Sequence, residues 1–289
     1  MADAQLSVYE REFIISGAEQ DYRSDGRSCE DYRYFEVETG IVSNTSGSAR
    51  LRLSDTDILV GVKAEIGEPN LLTPGCGRVE FFVDCSSNAS VEFNGRSGDD
   101  LAADLMRSLD RTYSNKSAID LSSLSIIHGQ QCWVLYVDTL VLECGGNLYD
   151  ALSLAVKAAL YNTRIPNVTV SSDGGEVELE ISDDPYDCHQ LPPDQMPIII
   201  TLSKIGGRHV VDASQSEELC SDCHLLVAVN SCGNVCGQQK IGCGGLEPDT
   251  ICEMLETARS VGKRVNNALI RVLKEGEAVV DTEKVGFLR

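Results

Sequence analysis

The chain has 289 residues, 42% of them hydrophobic and 24% charged, with only 8 prolines. That composition excludes a disordered or fibrous protein and leaves room for a sizeable core, best divided into two moderate domains. A formal net charge of −21 excludes nonspecific nucleic-acid binding by the whole surface, because phosphate affinity comes from clustered Lys and Arg that release counterions. Any RNA contact must therefore be local, and the acidic faces suit either solubility or basic partners.

Residues 1–5 carry no basic segment leading into an apolar run, and nowhere do eighteen apolar residues follow one another. Neither export nor membrane spanning is expected. In a reducing compartment the 12 cysteines stay free, and the sequons at Asn44, Asn88, Asn115 and Asn167 are silent.

Ser7 and Glu10 fit a capping box and Gly17 a stop, which predicts a short N-terminal helix. After the turn-rich stretch 23–27, β-rich segments at 35–42, 49–53, 58–66 and 79–83 read as a meander. From Gly98 onward, Leu101, Leu105, Met106, Leu109 and Tyr113 recur at three-to-four spacing with Asp99 and Asp100 in the first turn. This predicts an amphipathic helix to about Ser114.

Strands return at 124–128 and 133–143, and the long apolar run of the second suggests a sheet covered on both faces. Residues 148–161 are apolar or alanine on almost every side, so this helix should be buried round most of its circumference. A polar hairpin follows around 171–175. Pro192 and Pro193 then punctuate the chain, placing a boundary near 190 between a first domain, 1–190, and a second, 191–289. The second domain has strands at 197–202, near Val210, at 225–230 and at 235–239. Its long helix, from Pro248 to about Lys274, carries one stripe through Ile251, Met254, Leu255, Ala258, Val261, Val265, Leu269 and Val272. Strands then helix, twice, is an α+β architecture.

Four places invite a chemical reading. Cys220 and Cys223, followed by Cys232 and Cys236, loosely imitate a four-thiolate zinc site. A strand between the pairs would hold them roughly 20 Å apart, far beyond a zinc–sulfur bond, and a redox pair would need a helix start rather than a strand. The cysteines read as small apolar fillers. His128, His189, His209 and His224 are scattered, without a metalloprotease or triad pattern, and 242–245 lacks the Lys and hydroxyl of a Walker loop.

Gly145, Gly146 and Asn147 end a strand and open a helix, where free amides can cradle an anion. No Arg, Lys or hydroxyl lies nearby in sequence, so a plain connection is equally consistent. Arg107 and Arg111 lie four apart with Lys116 beyond them, a small basic comb that either balances Asp104 and Asp110 or faces a polyanion.

Several blocks together resemble the ribonuclease PH family, most closely its exosome branch. They are Asp25-Gly26-Arg27, 47–53, 62–66, 133–138, the run from Gly145 through Asp150 to Ala151, and 158–163. The chain looks like the eukaryotic counterpart of the inactive subunit of the archaeal ring. The resemblance implies a ribonuclease PH-like fold, with ribosomal protein S5 domain 2-like layers of sheet and helix in two similar halves.

Catalytic members carry Gly-Gly-Thr-Arg and a small hydroxyl residue at the strand-to-helix turn, where they bind inorganic phosphate. Here the turn reads Gly145-Gly146-Asn147-Leu148, so the cation that would hold the attacking phosphate is absent and the site is degenerate. Acidic residues of active relatives are only partly matched by Glu217, Glu218 and Asp222. Arg107 and Arg111, with Lys116, match a helix that faces the RNA path in inactive archaeal partners. The resemblance implies a non-catalytic ring subunit without metal or cofactor. Its partners would be other ring subunits, RNA-binding cap subunits, single-stranded RNA and a separate nuclease, in nucleus, nucleolus and cytoplasm. An active phosphate-dependent 3′–5′ exoribonuclease and a free-standing acidic protein-binding module are the alternatives.

Overall fold

A computed structural model describes residues 6–282 except 88, 91, 92, 94, 115–117, 174, 175, 183 and 185. The chain starts with α1 (Val8–Glu19), where the expected capping box forms: the Glu10 amide donates to the Ser7 hydroxyl at 3.3 Å and the Ser7 amide to the Glu10 carboxylate at 2.8 Å. The helix runs two residues past Gly17.

β1 (Phe35–Thr39), β2 (Gly47–Leu53) and β3 (Thr56–Gly67) form an antiparallel meander. The fourth predicted segment departs from it. β4 (Arg78–Cys85) lies parallel to β6 (Gln131–Glu143), and β6 pairs antiparallel with β3, giving the order β1-β2-β3-β6-β4. A parallel pair needs a crossover, supplied by α2 (Arg96–Tyr113), a 3-10 turn at Leu121–Leu124 and the short β5 (Ser125–Ile127), which pairs with β6. α2 turns Leu105, Leu109 and Tyr113 inward, with Tyr113 stacked at 5.4 Å between ring centroids on Phe81 of β4.

β6 also corrects the expectation of a sheet covered on both faces. Residues 132–135 are buried consecutively, but from Tyr136 burial alternates and Asp138 is exposed, so one face is open along the strand's second half. The apolar run marked β6 as the central strand without marking how far its outer face was covered.

α3 (Leu148–Asn162) is buried at 12 of its 15 positions, as its all-round apolar sequence predicts. It packs on β2 and β3 on one side and on β11 (Ile198–Ile205) on the other. Its lone cation, Lys157, is fully buried and donates to the Met196 carbonyl and to Asn266 Oδ1, both at 2.7 Å. β7 (Arg164–Pro166) pairs with β10 (Cys188–Gln190), and the polar hairpin is β8 (Val168–Asp173) with β9 (Glu176–Ile181).

The second sheet has the order β12-β11-β13-β14, all antiparallel, with β12 (Arg208–Val211), β13 (Cys223–Val229) and β14 (Val235–Ile241). α4 (Gln215–Glu218) bridges β12 and β13. α5 (Pro248–Thr282) extends beyond the expected end at 274 and lays Met254, Ala258, Val261, Val265 and Leu269 on the core. One hydrophobic cluster runs from Ala49 through Leu154 to Leu269. Each fully buried Leu, Ile or Val in it contributes about 1.5–3 kcal/mol relative to an exposed position.

Candidate functional site

The turn between β6 and α3 is built around two unusual backbone positions. Gly146 sits at φ +95° and Asn147 is left-handed, φ 57° and ψ 50°, a conformation that asparagine tolerates better than most residues with a Cβ. The Thr56 hydroxyl laces the turn, accepting from the Gly145 amide at 3.1 Å and donating to the Gly146 carbonyl at 2.8 Å.

Asn147 does not cap the helix with its side chain. Its Nδ2 donates instead to Asp150 Oδ2 at 3.0 Å and to Asp212 Oδ1 at 2.7 Å. The anion-cradling amide expected here is not free, because the Asn147 N–H donates to Glu218 Oε1 at 2.8 Å. A carboxylate from α4, 71 residues downstream, thus sits where the N-terminus of α3 would attract an anion.

The expectation that no cation lies near the turn holds in sequence but not in space. Arg33 donates to the carbonyls of Gly145 and Gly146, each at 3.2 Å, and is tied to Asp212 by its Nε at 2.9 Å, a terminal nitrogen at 2.8 Å and its backbone amide at 2.8 Å. Arg27 reaches Asp212 Oδ2 at 2.9 Å, and Arg23 makes a two-pronged pair with Glu217 at 2.8 and 2.5 Å. Sequence reasoning singled out none of Arg23, Arg33, Thr56, Asp150 or Asp212. The signals were the Asp25-Gly26-Arg27 block, which marks the loop that delivers the arginines, and the run from Gly145 to Ala151, which contains Asp150.

These contacts divide the carboxylates. Asp212 is buried, yet the Arg33 guanidinium and the Asn147 amide hold its carboxyl below the usual range. Burial pushes Asp150 up to about 6 against hydrogen bonds from Thr201, Asn147 and Tyr32. Burial likewise pushes Glu218 up to about 7; the Asn147 amide and Arg33 oppose the rise, and Asp150 and Asp212 add to it.

Glu218 therefore holds its proton to about pH 7 when folded and ionises near 4.5 when unfolded. Between those values the native state binds more protons, and stability falls as pH rises through the window. Glu218→Gln keeps an acceptor for the Asn147 amide and removes that loss. In urea unfolding it is expected to gain about 1–2 kcal/mol over the wild type at pH 8 and almost nothing at pH 4; an equal effect at both would contradict the assignment.

The basic comb lies on α2. Arg107 is exposed and pairs with Asp104 at 2.5 Å. Arg111, one turn on, is exposed and has no ion pair among the described residues. Asp110 is not its partner; burial pushes that carboxyl up. Lys116 lies outside the described residues. At the start of α3, burial pushes the Tyr149 hydroxyl up to about 12, with the charges of Asp104 and Glu218 both adding.

The cysteine pairs stand at opposite ends of a strand: Cys223 opens β13 and Cys232 follows its end. All 12 cysteines are free, and no metal-holding group of His, Cys, Asp and Glu occurs among the described residues. Asp222 stands apart from Glu217 and Glu218, in a loop where its backbone bonds Lys204 and Gly244.

Residues 31–166 match the model of domain 1 of the 3′ exoribonuclease family, and residues 195–261 match that of domain 2. A protein of Dictyostelium discoideum described as an exosome complex exonuclease, RRP42, is 39% identical over 94% of this chain and 98% of its own. The exosome complex component Rrp42 of Thermococcus kodakarensis is 35% identical over 91% of this chain and 95% of its own. Among solved structures, the Archaeoglobus fulgidus exosome with RNA bound to the active site contains a chain that superposes with a TM-score of 0.75 at 28% identity, covering 89% of this chain and 96% of that one. With both domain models matched in order and relatives aligned over nearly its whole length, the chain belongs to the 3′ exoribonuclease family and has the ribonuclease PH-like fold.

Proposed function

We propose that this chain is a non-catalytic ring subunit of the RNA exosome core, occupying the position of exosome component seven and lining the RNA path. The observation that carries the reading is the Glu218 carboxylate on the Asn147 amide, beside the apolar Leu148. An attacking phosphate at this turn would meet Glu218, Asp150 and Asp212, while Arg33 is already committed to Asp212. Electrostatic stabilisation of a transferring phosphoryl group requires free donors and cations aimed at it, and here Glu218 occupies the amide and Asp212 the guanidinium.

The relatives named Rrp42 and the archaeal exosome structures support the ring assignment. In this reading the partners are other ring subunits, RNA-binding cap subunits, single-stranded RNA and a separate nuclease, in nucleus, nucleolus and cytoplasm. Two ribonuclease PH-like domains, 1–190 and 191–289, make up the subunit in this reading. Arg107, Arg111 and Lys116 supply the contact with RNA phosphates, where guanidinium groups on a rigid helix hold a backbone without reading its bases.

The test is degradation of a labelled single-stranded RNA with phosphate and magnesium, by the chain alone and within the assembled ring. The isolated chain is expected to release no nucleoside diphosphate; release that depends on Asn147 or Glu218 would overturn the reading. In the ring, changing Arg107 and Arg111 together to alanine should weaken RNA binding and flatten the slope of log affinity against log salt by about 1.4, two single-strand phosphate contacts' worth. An unchanged slope removes the channel-wall role.

A further inference from the structure

We propose that the cleft between α2 and the β13–β14 face is a slot for one pyrimidine base of single-stranded RNA, with Arg111 at its mouth for the adjoining phosphate. The inference rests on the RNA-path reading above and adds to it a site that holds a base rather than a phosphate.

Its floor comes from strand alternation. Ile198, Ile200, Leu225, Val227 and Val229 of β11 and β13 point into the common core, which leaves Ile199, Leu226 and Ala228 on the opposite face. α2 covers that face incompletely. A cleft of about 120 Å³ remains, lined by these three residues, by Ser108, Arg111 and Thr112 of α2, and by Gly237, Gln238 and Gln239 of β14.

The gap has a specific cause. Gly237 stands opposite Ala228 in the register and offers no side chain, while α2 places two small residues, Ser108 and Thr112, behind Arg111. An apolar cavity of about 150 Å³ accepts a benzene ring. A somewhat smaller cleft, open on one side, suits a single six-membered ring and is tight for a fused purine.

The rim supplies the hydrogen bonding that a pyrimidine edge needs. Gln239, beside Leu226, has an amide with no hydrogen-bond partner among the described residues, so both its donor and its acceptor are available. The hydroxyls of Ser108 and Thr112 donate to helix carbonyls at 3.0 and 2.7 Å, which leaves their oxygens as acceptors. Single-stranded RNA is recognised in this way, with an unstacked base against an apolar surface and its Watson–Crick edge bonded to side chains. Arg111, exposed and free of an ion pair among the described residues, provides the cation a neighbouring phosphate requires.

The test uses the chain assembled in its ring, with oligouridine and the same oligonucleotide carrying one abasic residue walked along its length. Wild-type ring is expected to lose about fivefold or more in affinity at one abasic position, the scale of a single base contact. Gly237→Leu fills the slot. A Cβ at that position meets nothing nearer than the Ala228 Cβ at 3.9 Å, an ordinary contact. This variant should bind intact RNA about as weakly as wild type binds the abasic RNA, and should no longer distinguish the two. Gln239→Ala should shift affinity in the same direction without filling the cleft.

Arg111→Ala, by contrast, should weaken intact and abasic RNA alike, so failure of the phosphate contact and failure of the slot give different patterns. The slot is overturned if no abasic position matters, or if Gly237→Leu binds both RNAs as wild type does. Should Gly237→Leu fail to assemble, as it would if a partner subunit's side chain fills the cleft, Gln239→Ala decides: unchanged affinity for oligouridine overturns the proposal.

Discussion

Replacing Asp212 by alanine is expected to destabilise the fold by about 3–5 kcal/mol, the scale for removing one partner of a buried ion pair. Asp212 has no exposed side-chain surface, and it faces Arg33 and Arg27, whose side chains are 10% and 13% exposed. Alanine would leave the Arg33 guanidinium out of water without its counter-ion and Arg27 with Asp25 alone. It would also leave the Arg33 amide and one hydrogen of the Asn147 amide without their acceptor.

A second penalty is conformational. Asp212 lies at φ 50°, in the left-handed region where aspartate is tolerated and alanine is not favoured. Asp212→Asn keeps an acceptor and the backbone preference, so it should lose less than Asp212→Ala. Urea unfolding followed by circular dichroism compares the two, and a loss below about 1 kcal/mol for the alanine variant would mean that the arginines find other partners.

Gly146→Ala should be comparably severe and should act on the candidate site directly. At φ +95° any L side chain is strained. The added Cβ would lie 2.6 Å from the Gln215 nitrogen and 2.8 Å from the Ser214 carbonyl carbon. Both are backbone atoms at the start of α4, so relief requires α4 itself to move, and α4 carries Glu217 and Glu218. A loss of about 3 kcal/mol is expected from strain and overpacking together. Carboxyl titration by NMR should show Glu218 returning toward its ordinary range as α4 is displaced and the burial that raises it is relieved. A variant that melts like wild type and keeps the raised Glu218 value would contradict the close approach of turn and helix.

Local features were legible in the sequence because their causes are local. The Ser7–Glu10 cap, the inward face of α2 at Leu105, Leu109 and Tyr113, the buried circumference of α3 and the stripe of α5 from Met254 to Leu269 all follow from spacing within one element, although the expected Val272 is exposed and Leu273 is buried instead. The parallel seating of β4 was not legible, because residues 78–85 find their partners at 134–141 and nothing in the segment itself distinguishes parallel from antiparallel pairing.

The site divides in the same way. Gly145, Gly146 and Asn147 stood out as a strand-to-helix turn, but what fills the turn comes from Arg33 on one side of the chain and from Asp212 and Glu218 on the other. Arg23 was hidden for a related reason. It lies in a polar, turn-rich stretch that reads as surface, and only the fold places it against Glu217. Arg107 and Arg111 were correctly placed on one exposed helix face, yet the cleft beside Arg111 needed β14 to define it.

α3 carries a consequence for how such a chain can change over generations. One wall of the helix packs the first sheet and another packs β11, while Lys157 at its core bonds Met196 and Asn266. Neither half owns the helix, so a chimera joining the first half of one family member to the second half of another inherits a mismatched seam along it. Exchange between relatives should be tolerated at surface loops and hairpins and punished along this seam, making the two halves a single heritable unit despite their separate sheets.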